Sequence, residues 1–325
     1  MVFNKTLEQT SILLIFIFIG YFLRKKEIIN EGGKKVLAGL LVNLFLPCYY
    51  IVSLSTNLTI DKINQYLLYF VCGIGLAIAI VFIAMPFARL LGKNKLQRNV
   101  LKYSFAFANI GYFGYPVVGV VFGEAVKASM ILFCIPQSIV ISTYGYQILT
   151  QKPLENPNDV ENALVQKEKW TKHLRFLYAP PFMGLMIGVV IGLLPINLPT
   201  YVVNMLDLAK NCQSPVAMLL TGAVLSSVPL FKLFASIKSY VVGFIRLIVV
   251  PVVIGLAFYL LGARGELLVI AVASVALPVG MNVVVYPESA GLDGTEGAKT
   301  CFISYVLALG TLPLVFEIIQ MLAKM

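Results

Sequence analysis

The sequence predicts an all-α polytopic membrane protein with ten transmembrane helices in two inverted five-helix repeats, whose fourth and ninth helices are broken and cross each other. Three observations lead to this prediction: the apolar composition, the spacing of the apolar runs, and matched interruptions in two of the runs. Of the 325 residues, 59% are hydrophobic and 12% are charged, whereas about a quarter of a soluble domain is charged. The mean hydropathy is +0.89.

Long apolar runs recur along the whole chain, and about 20 apolar residues are enough to cross the hydrocarbon core of a bilayer. Backbone groups in that core must bond within their own segment, so the runs are predicted to be helices. The ten runs are Leu7–Leu23, Val36–Ser55, Tyr66–Leu91, Val100–Val121, Ala125–Leu149, Tyr178–Leu194, Pro199–Ser227, Tyr240–Leu261, Leu267–Tyr286 and Ala298–Ala323.

Lysine and arginine cluster in alternate loops, after the first, third, fifth and seventh runs. The positive-inside rule makes these loops cytoplasmic. Both termini are therefore predicted to be extracellular, or periplasmic in a Gram-negative cell, around a multi-pass protein of the plasma membrane. The same rule accounts for the net charge of +10. We expect contact with membrane lipid and no binding of nucleic acid, which would need a basic face on a soluble domain.

The two halves of the chain carry matching motifs. NLFLP in the second run corresponds to NCQSP in the seventh, and GEAVKAS after the fourth run corresponds to GTEGAKT after the ninth. Five helices is an odd number, so the second set would be inverted in the membrane. The predicted division is a first repeat at 1–149, a cytoplasmic loop at 150–175 and a second repeat at 176–325.

The fourth and ninth runs contain residues that interrupt helices. Asn109, Gly111 and Pro116 lie in the fourth, and Pro278 and Asn282 lie in the ninth. Proline removes a helix hydrogen bond and glycine permits a break. A broken helix at membrane depth is tolerated beside protein or a wet cavity, and the start of its second half favours an anion. These five residues are therefore predicted to bind a small anion where the two helices cross.

Other polar residues within the runs are weaker candidates. Asn43 and Asn211 either serve the same anion site or join helices by a hydrogen bond. Asp207 and Lys210 are spaced as a helical ion pair, and they either couple transport to charge or reach water. Arg246 either attracts an anion or extends to the cytoplasmic surface.

Several kinds of chemistry are absent from the sequence. The single histidine, His173, excludes a metal site of several imidazoles, and the five cysteines have no metal-type spacing. Hydrolase, zinc-protease and phosphate-loop motifs are missing. We therefore expect neither an enzyme nor a bound cofactor or metal, and transport driven by this chain's own nucleotide hydrolysis is not expected.

Nearly the whole chain resembles the auxin efflux carrier family, which includes the plant PIN-FORMED exporters and bacterial permeases for malate and malonate. The resemblance is carried in order by LVNLFLP (41–47), NIGYFGYP (109–116), SPVAMLLTGAVL (214–225), RLIVVP (246–251), LPVGMN (277–282) and AGLDGTEGAKT (290–300).

The resemblance implies a scaffold of helices one, two, six and seven, a mobile unit containing the four–nine crossover, an elevator-like movement and a homodimer. It also implies that Asn109 and Asn282 contact a substrate carboxylate and that Pro116 and Pro278 are the crossover prolines. The expected function is secondary transport of small organic anions, by export. The alternatives are a sodium-coupled anion symporter of the bile-acid superfamily and an anion-sensing receptor without flux.

Overall fold

The computed structural model describes residues 2–57, 60–151, 178–194, 196 and 198–323. Within these residues the protein is helical and contains no strand, so the predicted all-α class is confirmed. The predicted cytoplasmic loop lies outside the described residues, except at its first two positions. The α-helices are α1 Val2–Lys25, α2 Glu31–Leu40, α3 Leu46–Asn57, α4 Ile60–Leu91, α5 Lys95–Ala106, α6 Tyr115–Phe122, α7 Glu124–Val140, α8 Tyr146–Leu149, α9 Pro180–Leu193, α10 Thr200–Leu225, α11 Leu230–Leu233, α12 Ile237–Phe244, α13 Val250–Leu260, α14 Gly265–Val275, α15 Asn282–Ser289 and α16 Thr295–Leu322.

Six helical segments of the described residues are long and apolar enough to cross a membrane. They are Val2–Lys25, Glu31–Thr56, Leu67–Leu91, Ala125–Leu149, Ile237–Leu260 and Thr295–Leu322. Shorter apolar helices occupy Ile110–Phe122, Pro180–Leu193 and Gly265–Val275. The first and last of these shorter helices are halves of the two runs that the sequence predicts to be broken. The count of ten spans and their inverted arrangement remain predictions.

Three of the helical runs widen into a π-turn just before a proline. The π-turns Leu41–Phe45, Ile110–Gly114 and Ile245–Val249 each end two residues before a proline, which is the second residue of α3, α6 and α13 respectively. Proline has no N–H and its ring crowds the preceding turn, and a π-turn supplies the extra room at that point. The motifs NLFLP, GYFGYP and RLIVVP therefore share one local structure.

Helices from the first, second, sixth and seventh runs pack together. Helix α1 lies against α10, and α3 lies against both α9 and α10. Two glycines bring α1 and α10 into backbone contact, since a Cβ on Gly20 would lie 2.1 Å from the Leu219 carbonyl oxygen and one on Gly222 would lie 1.9 Å from that of Ile17. Larger side chains at these two positions would force the helices apart.

The remaining helices surround the two interruptions. Helix α4 packs on α5 and α7, α13 packs on α14, and α12 packs on α16. Every residue from 268 to 288 is buried, so the second interrupted helix runs through the interior of the protein. This packing positions the segment between α14 and α15 against the segment between α5 and the π-turn that precedes α6.

Candidate functional site

The two interrupted helices meet in a short antiparallel stretch of non-helical backbone. Ala108 and Val279 form an isolated antiparallel bridge. The Asn109 amide donates to the Pro278 carbonyl at 2.8 Å, and the Gly280 amide donates to the Phe107 carbonyl at 3.0 Å. Both amides would bond within their own helix if the helices were continuous. The crossing therefore brings the starts of the two second halves, 110–122 and 282–289, to the same place.

Asn109 is both a helix cap and a member of the crossing. It is 1% exposed, and its Oδ1 accepts a hydrogen bond from the Tyr112 amide at 3.2 Å. Its Nδ2 donates to the Tyr305 hydroxyl. An amide nitrogen carries two hydrogens, so one donor remains for a ligand. The side chain therefore satisfies one of the backbone groups that the break exposes while keeping a donor at the crossing.

Asn282 starts the second half-helix but does not cap it. Its side chain accepts a hydrogen bond from the Tyr112 hydroxyl at 3.0 Å through Oδ1, and it is 6% exposed. The residue before it, Met281, occupies the cap position and makes no side-chain cap bond. Tyr112 thus contacts both asparagines, one through its backbone amide and one through its hydroxyl.

A small cavity of about 30 Å³ lies at the crossing. Its lining residues include both asparagines and five tyrosines, and none of them carries a charged side chain; they are Leu46, Tyr49, Tyr50, Tyr103, Ala108, Asn109, Ile110, Gly111, Tyr112, Tyr115, Ser138, Ile141, Gln213, Gly280, Met281 and Asn282. The space is enough for a water molecule or a carboxylate head. Its polar groups are neutral amides and hydroxyls.

A second and larger cavity of about 470 Å³ adjoins the first. The two cavities share Tyr49, Gly111, Tyr115 and Gln213 as lining residues. The rings of Tyr49 and Tyr115 stack between them with centroids 5.8 Å apart. The crossing therefore lies next to a roomier and more polar space, with two stacked aromatic rings lining both cavities.

Charged residues line only the larger of these two cavities. Lys127, Asp207 and Lys210 contribute to it, and Lys210 Nζ lies 2.6 Å from Asp207 Oδ1. The predicted ion pair of Asp207 and Lys210 therefore forms, and it faces the cavity that leads to the crossing.

Gln213 on α10 presents an unpaired donor to the crossing. It is 2% exposed, it lines both cavities, and its Nε2 has no hydrogen-bond partner. The next residue, Ser214, donates from Oγ to the Tyr112 carbonyl at 2.5 Å. A buried donor without a partner is costly, and a ligand oxygen in the cavity would satisfy it.

The structure separates the other predicted site residues into two groups. Gly111 and Pro116 line the larger cavity, as does Asn211, and Pro278 supplies the carbonyl that accepts from Asn109. Asn43 lines neither cavity. It is exposed, and its Nδ2 donates to the Gly39 carbonyl of its own helix at 2.8 Å.

Arg246 is buried beside the crossing and lies outside its cavity. It is 1% exposed, so the alternative in which it extends to the cytoplasmic surface is wrong. Its Nη1 donates to the Phe105 carbonyl at 2.7 Å. That carbonyl belongs to the last turn of α5, next to the crossing, and Arg246 itself does not line the crossing cavity.

The sequence analysis did not identify the tyrosines or Gln213 as site residues. Tyr49, Tyr50 and Tyr103 come from two helices that enclose the crossing, and they appear in the sequence as ordinary apolar-run residues. Tyr112 and Tyr115 lie inside the NIGYFGYP motif, in which the sequence pattern indicates only Asn109, Gly111 and Pro116 as site residues. Among the described residues there is no group of three His, Cys, Asp or Glu side chains that could hold a metal.

Comparison with known proteins identifies the family of the chain. The sequence profile of the family described as "Membrane transport protein" matches residues 6–316. The chain is also similar to an "Uncharacterized transporter" of Methanothermobacter thermautotrophicus, with 23% identity over 315 residues that cover 97% of this chain and 98% of the relative. The helices that are long and apolar enough to cross a membrane fit this assignment. The chain therefore belongs to the membrane transport protein family, which is the auxin efflux carrier family, and is a membrane transporter.

Proposed function

We propose that this transporter moves small organic anions such as carboxylates across the plasma membrane, with the carboxylate bound where the two broken helices cross. The observation that carries the proposal is the convergence of two half-helix starts and neutral amide donors on one uncharged cavity. Helix starts attract anions. Donors without charge hold an anion loosely enough for release, which a carrier needs.

Three side chains form the proposed carboxylate site. Asn109 and Asn282 stand beside the two half-helix starts, and Gln213 adds a donor from α10 whose Nε2 has no partner. Gly111 and Pro116 shape the first half-helix start, and Pro278 holds the crossing through its carbonyl. The remainder of the substrate extends past Tyr49 and Tyr115 into the larger cavity.

The proposed architecture is ten transmembrane helices in two inverted repeats, with both termini extracellular. In this orientation the larger cavity opens to the outside, because Lys127, which lines it, lies in the first turn of α7, at the predicted extracellular end of the fifth run. The cytoplasmic end is closed by α2 against α15, where Lys34 Nζ lies 4.0 Å from Glu288 Oε2. In an elevator mechanism, the mobile unit that contains the crossing would move past the scaffold of helices one, two, six and seven. This movement would open the cytoplasmic end. A homodimer through the scaffold and the export direction rest on the family resemblance.

A flux assay tests the proposal. The purified protein is reconstituted in liposomes and supplied with labelled malate, malonate, lactate or indole-3-acetate, with and without a proton or sodium gradient. We expect saturable flux of at least one carboxylate. Flux should fall in the Asn109→Ala and Asn282→Ala variants and persist in Asn43→Ala, because Asn43 lies outside both cavities.

The same assay separates the alternatives. Flux that requires a sodium gradient would favour the symporter. Saturable binding without flux in any gradient would favour the anion-sensing receptor. Unchanged flux in both asparagine variants would refute the crossing as the substrate site.

A further inference from the structure

We propose that Arg246 is the remote counter-charge for the carboxylate at the crossing, acting through the end of α5 and through Tyr103 without touching the substrate. This inference rests on the proposed function. It adds a positioning residue that supplies the positive charge which the lining of the crossing cavity lacks.

The crossing removes a hydrogen bond from the end of α5. In a continuous helix the Phe105 carbonyl would accept from the Asn109 amide, four residues ahead. That amide donates instead to the Pro278 carbonyl. Arg246 Nη1 takes its place at 2.7 Å from the Phe105 oxygen. The guanidinium therefore bonds the carbonyl that the break leaves without its helical partner.

The guanidinium also changes the sign of the charge at that point. The end of α5 carries the negative end of a helix dipole and points toward the crossing, where it would repel an anion. A cation on its last turn offsets this field. The Val279 amide beside the other break is satisfied by the neutral Ser304 hydroxyl at 3.1 Å. Arg246 and Ser304 each form a hydrogen bond to the backbone beside one of the breaks, and of these two side chains only Arg246 is charged.

The charge of Arg246 is not compensated within the described protein. Its Nε has no hydrogen-bond partner, and none of the ion pairs formed by described residues includes it. Burying an unpaired charge is unfavourable. An anion at the crossing supplies the missing negative charge, so the buried arginine favours the loaded state.

Tyr103 links Arg246 to the cavity. It lies near both the guanidinium and the Asn282 side chain. Tyr103 lines the crossing cavity, and its ring lies 5.0 Å from that of Phe107 in the crossing itself. The field of Arg246 therefore reaches the proposed carboxylate site through buried, poorly screening surroundings.

Two variants separate the charge of Arg246 from its hydrogen bond. Arg246→Gln removes the charge but keeps an N–H donor for Phe105, and Arg246→Lys keeps the charge on a single ammonium. The full-length variants are purified, and binding is measured at one pH for malate, malonate, lactate and indole-3-acetate. The uncharged primary amide of each carboxylate that binds is measured beside it.

We expect Arg246→Gln to weaken carboxylate binding by about 10- to 30-fold, the effect of one charge several ångströms away in a weakly screening medium. Amide binding should change less than about twofold, since an uncharged ligand does not sense a lost charge to the same degree. Arg246→Lys should keep the wild-type preference for carboxylate over amide.

Equal losses of carboxylate and amide binding in Arg246→Gln would mean a structural role only and would overturn the inference, as would unchanged carboxylate binding. If Arg246→Gln does not fold, Arg246→Lys decides, because a lost preference for carboxylate in that variant also overturns it. Failure of the wild-type protein to bind any of the four carboxylates refutes the proposed function itself, and the inference falls with it.

Discussion

The two breaks that meet at the crossing look alike in sequence but are held by different forces. The first, at residues 107–109, is held by polar side chains: Asn109 caps the π-turn that follows, and Arg246 bonds the preceding turn. The second, at residues 276–281, has no side-chain cap; its Val279 amide donates to the neutral Ser304 hydroxyl, and it lies within the longer buried segment 268–288. The first break thus has a capped helix start and a charged partner, whereas the second has an uncapped start, a neutral partner and a longer stretch of buried chain around it.

This difference separates the roles of the two asparagines. Asn109 supports its own half-helix, so a substitution there affects folding and binding together. Asn282 is held in place by the close packing around α15, so its side chain is freer to serve the ligand. The first half-helix also borders the larger cavity through Gly111 and Pro116. We expect the first break to respond to polar changes and the second to changes in volume.

The largest effect is expected from Gly297→Ala, which tests the packing of the second break. An added Cβ on this residue of α16 would lie 2.4 Å from the Val283 carbonyl oxygen. Overpacking of this kind lowers the free energy of unfolding by about 1–3 kcal/mol. A shift of Val283 would also displace Asn282, which directly precedes it. We expect a lower unfolding temperature in detergent and loss of flux in liposomes.

Gly310 of the same helix provides the matched control. A Cβ at Gly310 meets nothing within 4 Å, and alanine is favoured over glycine in a helix by about 1 kcal/mol. Gly310→Ala should therefore unfold at or above the wild-type temperature. Equal behaviour of the two alanine variants would show that the second break is not held by packing.

Asn109→Ala is expected to have the next largest effect on stability. It removes a helix cap, which contributes about 0.5–2 kcal/mol, and the hydrogen bond to Tyr305. Unfolding temperature and carboxylate affinity should fall together. Asn109→Ser keeps an oxygen that can cap the helix but lacks the amide donor. Compared with Asn109→Ala, it should therefore have a higher unfolding temperature and an equally low carboxylate affinity. The comparison of the two breaks fails if Asn109→Ala unfolds at the wild-type temperature.

Asn282→Ala is expected to reduce affinity more than stability. A hydrogen bond to a charged ligand contributes about 1.5–3 kcal/mol, so carboxylate affinity should fall by about tenfold or more. No helix cap is lost, so the unfolding temperature should fall less than in Asn109→Ala. Tyr112→Phe removes the same Tyr112–Asn282 hydrogen bond and leaves the Asn282 amide. Equal affinity losses in Asn282→Ala and Tyr112→Phe would argue against ligand contact by Asn282.

Sequence patterns predicted the helical class and the two interruptions, because proline, glycine and asparagine close together in an apolar run disfavour a continuous helix. They predicted the first break among Asn109, Gly111 and Pro116, and the structure has it at 107–109, at the first of these residues. The position is set by the bond from Asn109 to Pro278, which joins residues far apart in the chain. Around Pro116 the structure has a π-turn and the start of α6.

The site was predictable only in part, for a related reason. Asn109 and Asn282 stand out because amides are rare in apolar runs, whereas tyrosines in such runs are equally typical of a core. Tyr49 and Tyr103 converge on the crossing from separate helices, which no local pattern encodes. The burial of Arg246 likewise depends on the rotation of its helix, so sequence left open whether it faced inward or outward.

The smallest effects on stability and flux are expected at Asn43 and Asn211. These two asparagines occupy matching positions in the two predicted repeats and lie outside the crossing, so they compare the repeats away from the two breaks. Asn43 is exposed and bonded within its own helix, so Asn43→Ala should change the free energy of unfolding by no more than about 0.5 kcal/mol and leave flux unchanged. Asn211 lines the larger cavity, so Asn211→Ala should lower flux at subsaturating substrate without changing the maximal rate. Loss of flux in Asn43→Ala at unchanged unfolding temperature would instead place Asn43 on the transport route or at a contact between two copies of the chain.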